Sequence, residues 1–183
     1  EPPRRERRSK ARAPVVERRT WAEDGAGYHT VVVFYAALKS QRPDRQGHDE
    51  SFRGTGDYPM KARRADAALL QQWIPDQGLS VPDFFAHSHG GTVAHLATKR
   101  GVAFDKLVLL SWPVHKQWYP DFSKVSRIVD IRVHLDLVIM LDGGRQRFKS
   151  KNPKIKRHRN GWFNHSATHD PEYWDDNNLW DKV

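Results

Sequence analysis

The sequence contains no cysteine and only two methionines among its 183 residues. The lack of cysteine excludes disulfide bonds, thiolate metal ligands and a cysteine nucleophile. No apolar run approaches the roughly 20 residues of a membrane-spanning helix, and the first residues lack the apolar core of a signal peptide. These absences predict a soluble protein; the compartment stays open, with the cytoplasm favoured. Because the chain begins at Glu1 rather than Met, a fragment or processed form is also compatible with the sequence.

Apolar and aromatic residues are plentiful enough for a buried core. Hydrophobic residues make up 38% of the chain, with seven Trp and eight Phe, and this composition disfavours a chain that is disordered throughout. Residues 1–14 combine three prolines with eight charged residues and no large apolar side chain. We expect a flexible basic arm over residues 1–14 and a single domain over residues 15–183.

The net charge of +9 is concentrated in two segments. Residues 1–20 sum to +5 and residues 143–160 to +8, whereas residues 21–142 are neutral and the last 23 residues sum to −4. A strongly basic chain suggests an anionic partner. Here the pattern indicates that such a partner would contact the basic segments rather than the body.

Apolar runs alternate with helical periodicity along the body. Strands are predicted at Val15–Trp21 (a short edge strand), Thr30–Leu38, Val81–His87, Lys106–Trp112 and Arg127–Leu135, with a long loop over residues 39–58. A helix is predicted from Pro59 to the breakers Pro75 and Gly78, with its apolar face formed by Ala62, Ala65, Leu69, Leu70 and Trp73. This order predicts an α/β fold with a mainly parallel central sheet flanked by helices.

Two predictions concern the faces of these elements. In Arg127–Leu135, apolar and polar residues alternate, which predicts a half-exposed strand with Asp130, Arg132 and His134 toward solvent. A second helix is predicted after residue 91, with Val93, Leu96 and Ala97 on one face and Gly101 as its C-cap. The side chains of Trp112, Trp118, Tyr119 and Phe122 are expected to form an apolar pocket wall.

The segment Ala86-His-Ser-His-Gly-Gly91 has the character of a sharp strand-to-helix turn. Small residues at positions 86, 90 and 91 allow a tight reversal that presents the Ser88 hydroxyl on an exposed, strained elbow. The backbone N–H of His89 lies where a helix begins, so it is a candidate donor to an oxyanion. Ser88 is therefore a candidate nucleophile, and it requires a base and a group that orients the base.

Candidates for both partners follow in the chain. Asp136 stands at the carboxyl end of a predicted strand, where functional residues of parallel sheets collect; Asp142 is a rival acid. His165 lies in a polar, turn-rich segment ahead of a predicted terminal helix and is the candidate base. His169 is a rival base.

Together, the elbow, the segment Val133-His-Leu-Asp-Leu-Val138 followed by two glycines, and the histidine-rich loop before Pro171 resemble the α/β-hydrolase superfamily, particularly its lipase-like and esterase-like members. The resemblance covers roughly residues 28–180, with shortened N-terminal strands. It implies a compact hydrolase fold, a Ser88–His165–Asp136 triad and hydrolysis of a small or lipid-like carboxylic ester without a cofactor. It also implies a second oxyanion donor after Val31–Phe34, at the N–H of Ala36.

The sequence departs from that pattern in two places. Ala86 replaces the first glycine of the elbow, and Phe34-Tyr-Ala-Ala37 replaces a common His-Gly. The second departure bears on the Ala36 donor, so a catalytically degraded hydrolase fold that acts as a binding protein is the first alternative.

The remaining alternatives concern metals and polyanions. The pairs His87/His89 and His165/His169 have spacings that can chelate a metal, but no His-Glu-x-x-His motif accompanies them, and we predict no metal site. Residues 1–14 and 145–159 could contact a polyanion or nucleic acid with strong salt dependence. The second segment contains only one aromatic residue, Phe148, that could stack on a base. Its lysines and arginines are equally compatible with an edge strand that is protected against pairing.

Overall fold

Four parallel strands form the sheet of residues 60–183, the part of the chain that the computed structural model describes. The strands are β1 (Phe84–His87), β2 (Phe104–Leu110), β3 (Val125–His134) and β4 (Ile155–Trp162). They are hydrogen-bonded in the order β1-β2-β3-β4, and every pair is parallel. The α/β class with a parallel sheet is therefore confirmed for these residues. Because all four strands are parallel, their carboxyl ends lie at one sheet edge.

Helices connect and flank these strands. They are α1 (Met60–Asp76), α2 (Gly90–Lys99), α3 (Leu137–Leu141) and α4 (Pro171–Asp176). Short 3-10 turns occupy Lys116–Trp118, Phe122–Lys124, His165–His169 and Leu179–Lys182. None of the helices within residues 60–183 has the length and hydropathy needed to cross a bilayer.

Predictions about the first 59 residues fall outside the described part of the chain. They are the arm at 1–14, the edge strand Val15–Trp21, the strand Thr30–Leu38, the loop 39–58 and the oxyanion donor at Ala36.

Apolar side chains form a core on each face of the sheet. The larger core joins α1 and α2 to alternate residues of the strands, including Leu70, Val93, Leu107, Leu109 and Ile128. On the opposite face, Val108, Leu110, Val129 and Ile131 pack with Trp174 and Leu179 near the chain end. Both faces of the central strands are thus covered, as a parallel sheet requires.

The buried face of α1 differs from the predicted face. Its buried residues are Arg63, Asp66, Ala67, Leu70 and Ile74, so Leu70 is shared, whereas Leu69 is 47% exposed. The prediction was wrong because it treated charged residues as solvent-facing. Arg63 and Asp66 instead lie on the side of the helix that packs inward.

Strand β3 is also buried more completely than its alternation predicts. Asp130 and Arg132 are 1% and 4% exposed rather than solvent-facing. They form an ion pair, with 2.8 Å from Nε to Oδ2 and 2.7 Å from Nη2 to Oδ1, and Arg132 Nη1 donates to the carbonyl of Trp112 at 2.8 Å. Because the two charges compensate each other, a polar strand face can be buried.

Trp112 is a core residue rather than part of a pocket wall. Its side chain is fully buried, its ring packs edge-on against Phe148 with centroids 5.1 Å apart, and its Nε1 donates to Thr92 Oγ1 at 3.1 Å. Tyr119 and Phe122 pack partly buried against the same core. The predicted wall is therefore wrong at Trp112, which instead fixes α2 to the end of β2.

Candidate active site

Backbone strain is concentrated at the carboxyl edge of the sheet. The first residue after each strand has a left-handed backbone although none is glycine: Ser88 (φ 51°), Ser111 (φ 48°), Leu135 (φ 48°) and Phe163 (φ 61°). Such conformations cost on the order of 1–3 kcal/mol each and cluster at functional sites. This edge of the sheet is therefore the candidate location of an active site.

Ser88 occupies the turn between β1 and α2. Its N–H donates to the carbonyl of Leu110 at 2.8 Å, and its own carbonyl accepts from Gly91 at 3.0 Å. The residue is 1% exposed, and helix α2 begins two positions later. The predicted strand–turn–helix with a left-handed backbone is present at this residue. The predicted exposure of the Ser88 hydroxyl is wrong, because the turn is packed among neighbouring elements.

Asp136 and His165 meet although 29 positions separate them. His165 Nδ1 donates to Asp136 Oδ2 at 2.7 Å, and both residues are buried, at 8% and 1% exposure. The second carboxylate oxygen, Oδ1, accepts from the N–H of Ile139 at 3.1 Å and so caps α3. The two bonds fix the carboxylate, and the carboxylate fixes the tautomer of the imidazole.

The other ring nitrogen of His165 is buried and unpaired. Its Nε2 forms no hydrogen bond to any residue in the range 60–183, and this includes Ser88. The imidazole is nevertheless held close to the elbow, because His87 Nε2 donates to the carbonyl of His165 at 3.3 Å and the two rings lie 4.8 Å apart. The structure thus brings Asp136 and His165 into contact and links His165 to the residue before Ser88.

Several side chains hold the turn that carries His165. Thr168 Oγ1 donates to Ser111 Oγ at 3.1 Å, which fastens the turn to the end of β2. Trp174 Nε1 donates to the carbonyl of Thr168 at 2.7 Å, and Asn164 Oδ1 accepts from the N–H of Ser166 at 3.1 Å. The predictions from sequence missed Thr168 and Ser111, because a contact between positions 57 apart leaves no local pattern.

Asp136 is also clamped through its backbone. The side chain of Gln146 accepts from the N–H of Asp136 at 3.2 Å and donates to its carbonyl at 2.5 Å. This paired contact positions the loop between β3 and α3. Gln146 was not singled out from the sequence, where it is one polar residue within a basic run.

The rival acid Asp142 lies against other partners. Its Oδ2 is 2.8 Å from His115 Nε2, and its Oδ1 is 3.5 Å from Nε2 of His89. Arg63 reaches the same imidazole, with 3.4 Å from Nη2 to Nε2, and its guanidinium lies 5.2 Å from the ring centroid of Trp118. Asp142 therefore belongs to a separate polar cluster that surrounds the side chain of His89, the residue after Ser88.

The remaining candidates from the sequence are the rival base and the histidines considered as metal ligands. The rival base His169 ends the same 3-10 turn as His165, and its side chain lies outside the described part of the structure. The histidines considered as metal ligands have different neighbours, since His87 contacts His165 and His89 contacts Asp142. Among the described side chains, which do not include those of His169 and Glu172, no three His, Asp or Glu are arranged to hold a metal ion.

Comparison of the chain with protein-family models, with curated proteins and with solved structures gives no match.

Proposed function

We propose that the protein is a serine hydrolase of α/β-hydrolase type that cleaves a carboxylic ester through Ser88, His165 and Asp136. The observation that carries the proposal is the 2.7 Å bond between Asp136 and His165, which leaves a buried, unpaired Nε2 beside a strained serine elbow. The chain order of serine, acid and histidine is the order of that superfamily.

In the proposed reaction, Ser88 Oγ attacks the ester carbonyl carbon while His165 Nε2 accepts the hydroxyl proton. Asp136 holds the Nδ1–H and stabilises the imidazolium that forms. The N–H of His89, near the start of α2, donates to the oxyanion, with the helix dipole in support. His165 then protonates the leaving alkoxide, and water hydrolyses the acyl-enzyme by the same steps in reverse.

One contact must form for this reaction. The hydrogen bond between Ser88 Oγ and His165 Nε2 is not made in the structure, and such bonds often tighten only in the complex with substrate. The same observation favours the second candidate, a hydrolase fold that has lost catalysis and retains binding. Reaction with an active-site reagent separates the two.

Turnover of a short activated ester, such as a nitrophenyl acetate, tests the proposal. We expect Ser88→Ala to lower kcat/KM by about 10,000-fold or more, since removal of a triad serine leaves only binding and oxyanion stabilisation.

Ser126→Ala is the control. Ser126 is exposed near the amino end of β3, at the opposite edge of the sheet from Ser88. We expect the Ser126 variant to keep kcat/KM within about twofold of wild type. Full turnover by Ser88→Ala would exclude the proposed nucleophile.

A further inference from the structure

A cavity of about 550 Å³ opens on one face of the sheet between β3, β4 and the segment that joins α3 to β4. Two cross-strand pairs contribute to it, Asp130 opposite Arg157 and Arg132 opposite Arg159. These four positions alternate along their strands, so their side chains share a face. The volume lies in the range of small-molecule sites.

The lining is strongly cationic. Six of the residues around the cavity are arginine or lysine and one is aspartate: Arg132, Arg147, Lys149, Lys151, Arg157, Arg159 and Asp130. Asp130 is already paired with Arg132 at 2.7 Å. The other cations of the cavity therefore have no carboxylate of their own within its wall.

One arginine is used to build the wall. Arg157 Nε donates to the carbonyl of Phe148 at 2.9 Å, and its Nη2 donates to the carbonyl of Ser150. These bonds fold the segment 145–151 back over β4. The basic run is thus folded around a cavity instead of extending as a flat stripe.

Arg159 carries an uncompensated polar atom. The residue is partly buried, and its Nε has no hydrogen-bond partner among the described residues. Burial and then the nearby guanidiniums of Arg147 and Arg132 lower the pKa of Arg159 below its usual range. Exposed lysines suffice to protect an edge strand. That role explains Lys149 and Lys151 but not the convergence of Arg159 with Arg147 and Arg132 around a cavity.

We propose that this cavity binds the phosphate groups of a small molecule that carries at least two of them. Guanidinium groups bind phosphate oxygens through paired hydrogen bonds. Two guanidinium groups together with two lysines can neutralise more than one phosphate. Arg147 and Arg159 provide the two guanidinium groups, and Lys149 and Lys151 lie at the rim of the cavity. The proposal is independent of ester hydrolysis, since none of these four residues belongs to the proposed triad.

Calorimetric titration of the full chain with inorganic pyrophosphate tests the proposal. We expect saturable binding of one pyrophosphate per chain, weakened by added salt. Arg159→Gln and Arg147→Gln should each weaken binding about tenfold or more, because each removes charge-assisted hydrogen bonds. Arg159→Lys keeps the charge but lacks the planar guanidinium. Its affinity for pyrophosphate should lie between that of wild type and that of Arg159→Gln.

Arg64→Gln is the matched control, since it removes the same charge from an exposed position on α1 outside the cavity. We expect it to change the affinity less than twofold. Arg147 is exposed, so its variant keeps the test decisive if Arg159→Gln fails to fold. Absence of saturable binding, or equal weakening by Arg64→Gln, would overturn the proposal. So would tight binding of a DNA duplex without pyrophosphate binding, which would indicate an extended polyanion surface.

Discussion

Asp136 has two structural tasks that can be separated by substitution. One carboxylate oxygen orients His165, and the other caps α3. An asparagine side chain can keep the cap because its carbonyl oxygen accepts the same N–H. It cannot hold the imidazole in the tautomer that the proposed reaction uses.

We therefore expect Asp136→Asn to lower kcat for ester hydrolysis by about 10,000-fold while the free energy of unfolding changes by about 1 kcal/mol or less. Steady-state kinetics and urea unfolding measure the two effects. Asp142→Asn, which alters the rival acid, should lose far less activity. A larger loss in the Asp142 variant would show that the acid is misassigned.

His95 links stability to pH. The residue is fully buried in α2, with its ring edge-on to Trp112 at 4.1 Å between centroids, and burial lowers its pKa to about 3. Below the ordinary histidine pKa of about 6.5, the unfolded chain binds a proton at this position that the folded chain excludes. The contribution of His95 to stability is therefore complete above that pH and decreases as the pH falls toward about 3.

We expect His95→Leu to unfold with a free energy that depends less on pH than that of wild type. The difference between the two proteins should move in favour of the variant by about 1.4 kcal/mol for each pH unit below 6.5. Urea unfolding at several pH values between 7 and 4 measures this difference. A difference that stays constant with pH would contradict the assignment to His95.

At the residue scale, candidate reactive residues can be singled out from sequence more readily than the burial of individual side chains can be predicted. Ser88, Asp136 and His165 could be singled out because their chemical types follow strands in a meaningful order. The burial of Arg63 and Asp66 could not, since it depends on packing against other elements. The pairing of Asp130 with Arg132 was missed because the polar face of a strand is ordinarily solvated.

Helix α2 approaches the end of β2 more closely than an alanine would allow. A Cβ atom at Gly91 would lie 2.6 Å from Cδ1 and 2.7 Å from Cγ of Trp112, whose ring is fully buried. The sequence predicts that this glycine permits a sharp turn. The structure adds a second reason, which is the contact between helix and indole.

We expect Gly91→Ala to destabilise the fold by about 1–3 kcal/mol and to lower ester turnover, because α2 must shift and it begins at the elbow. Gly78→Ala is the control. Gly78 has φ +70° and no neighbour within 4 Å of an added Cβ, so its substitution should cost about 1 kcal/mol without loss of turnover. Normal turnover in a folded Gly91 variant would disprove the link between this contact and the elbow.

At the scale of elements, β1, β2, β3, α1 and α2 could be read from apolar runs and breakers. Strand β4 and helix α3 were not predicted from such patterns, since Ile155–Trp162 is mostly polar and Leu137–Leu141 is only five residues long. Gly101 follows the last turn of α2 with φ +96°, as its predicted role at the helix end requires. Which faces are buried was predicted less well. The alternation in β3 is compatible with half exposure or with a buried ion pair, and only tertiary packing decides between them.

For the whole molecule, the chain end stabilises the fold and positions the site. Trp174 is 2% exposed on the second face of the sheet, where its ring lies 6.0 Å from Phe85 and 4.5 Å from Trp180. It also holds the carbonyl of Thr168 in the turn that carries His165. Such coupling between distant segments is not visible in local sequence patterns.

We expect Trp174→Ala to cost about 3–5 kcal/mol of unfolding free energy, as loss of a fully buried tryptophan does. Trp180→Ala removes the same side chain from a partly exposed position whose Nε1 bonds only Asp175, so its cost should be clearly smaller. Chemical unfolding of both variants makes the comparison. A cost of about 1 kcal/mol or less for Trp174→Ala would show that the chain end does not anchor this face of the sheet.

The central claim is that Ser88 is an activated nucleophile, and labelling with a fluorophosphonate followed by mapping of the modified peptide tests it most directly. The reagent reacts only where a serine, a base and an oxyanion site act together. The account predicts a single adduct on Ser88 in the wild type, with no adduct at that position in Ser88→Ala. A folded wild-type protein that resists the reagent, or an adduct on another serine, would contradict it.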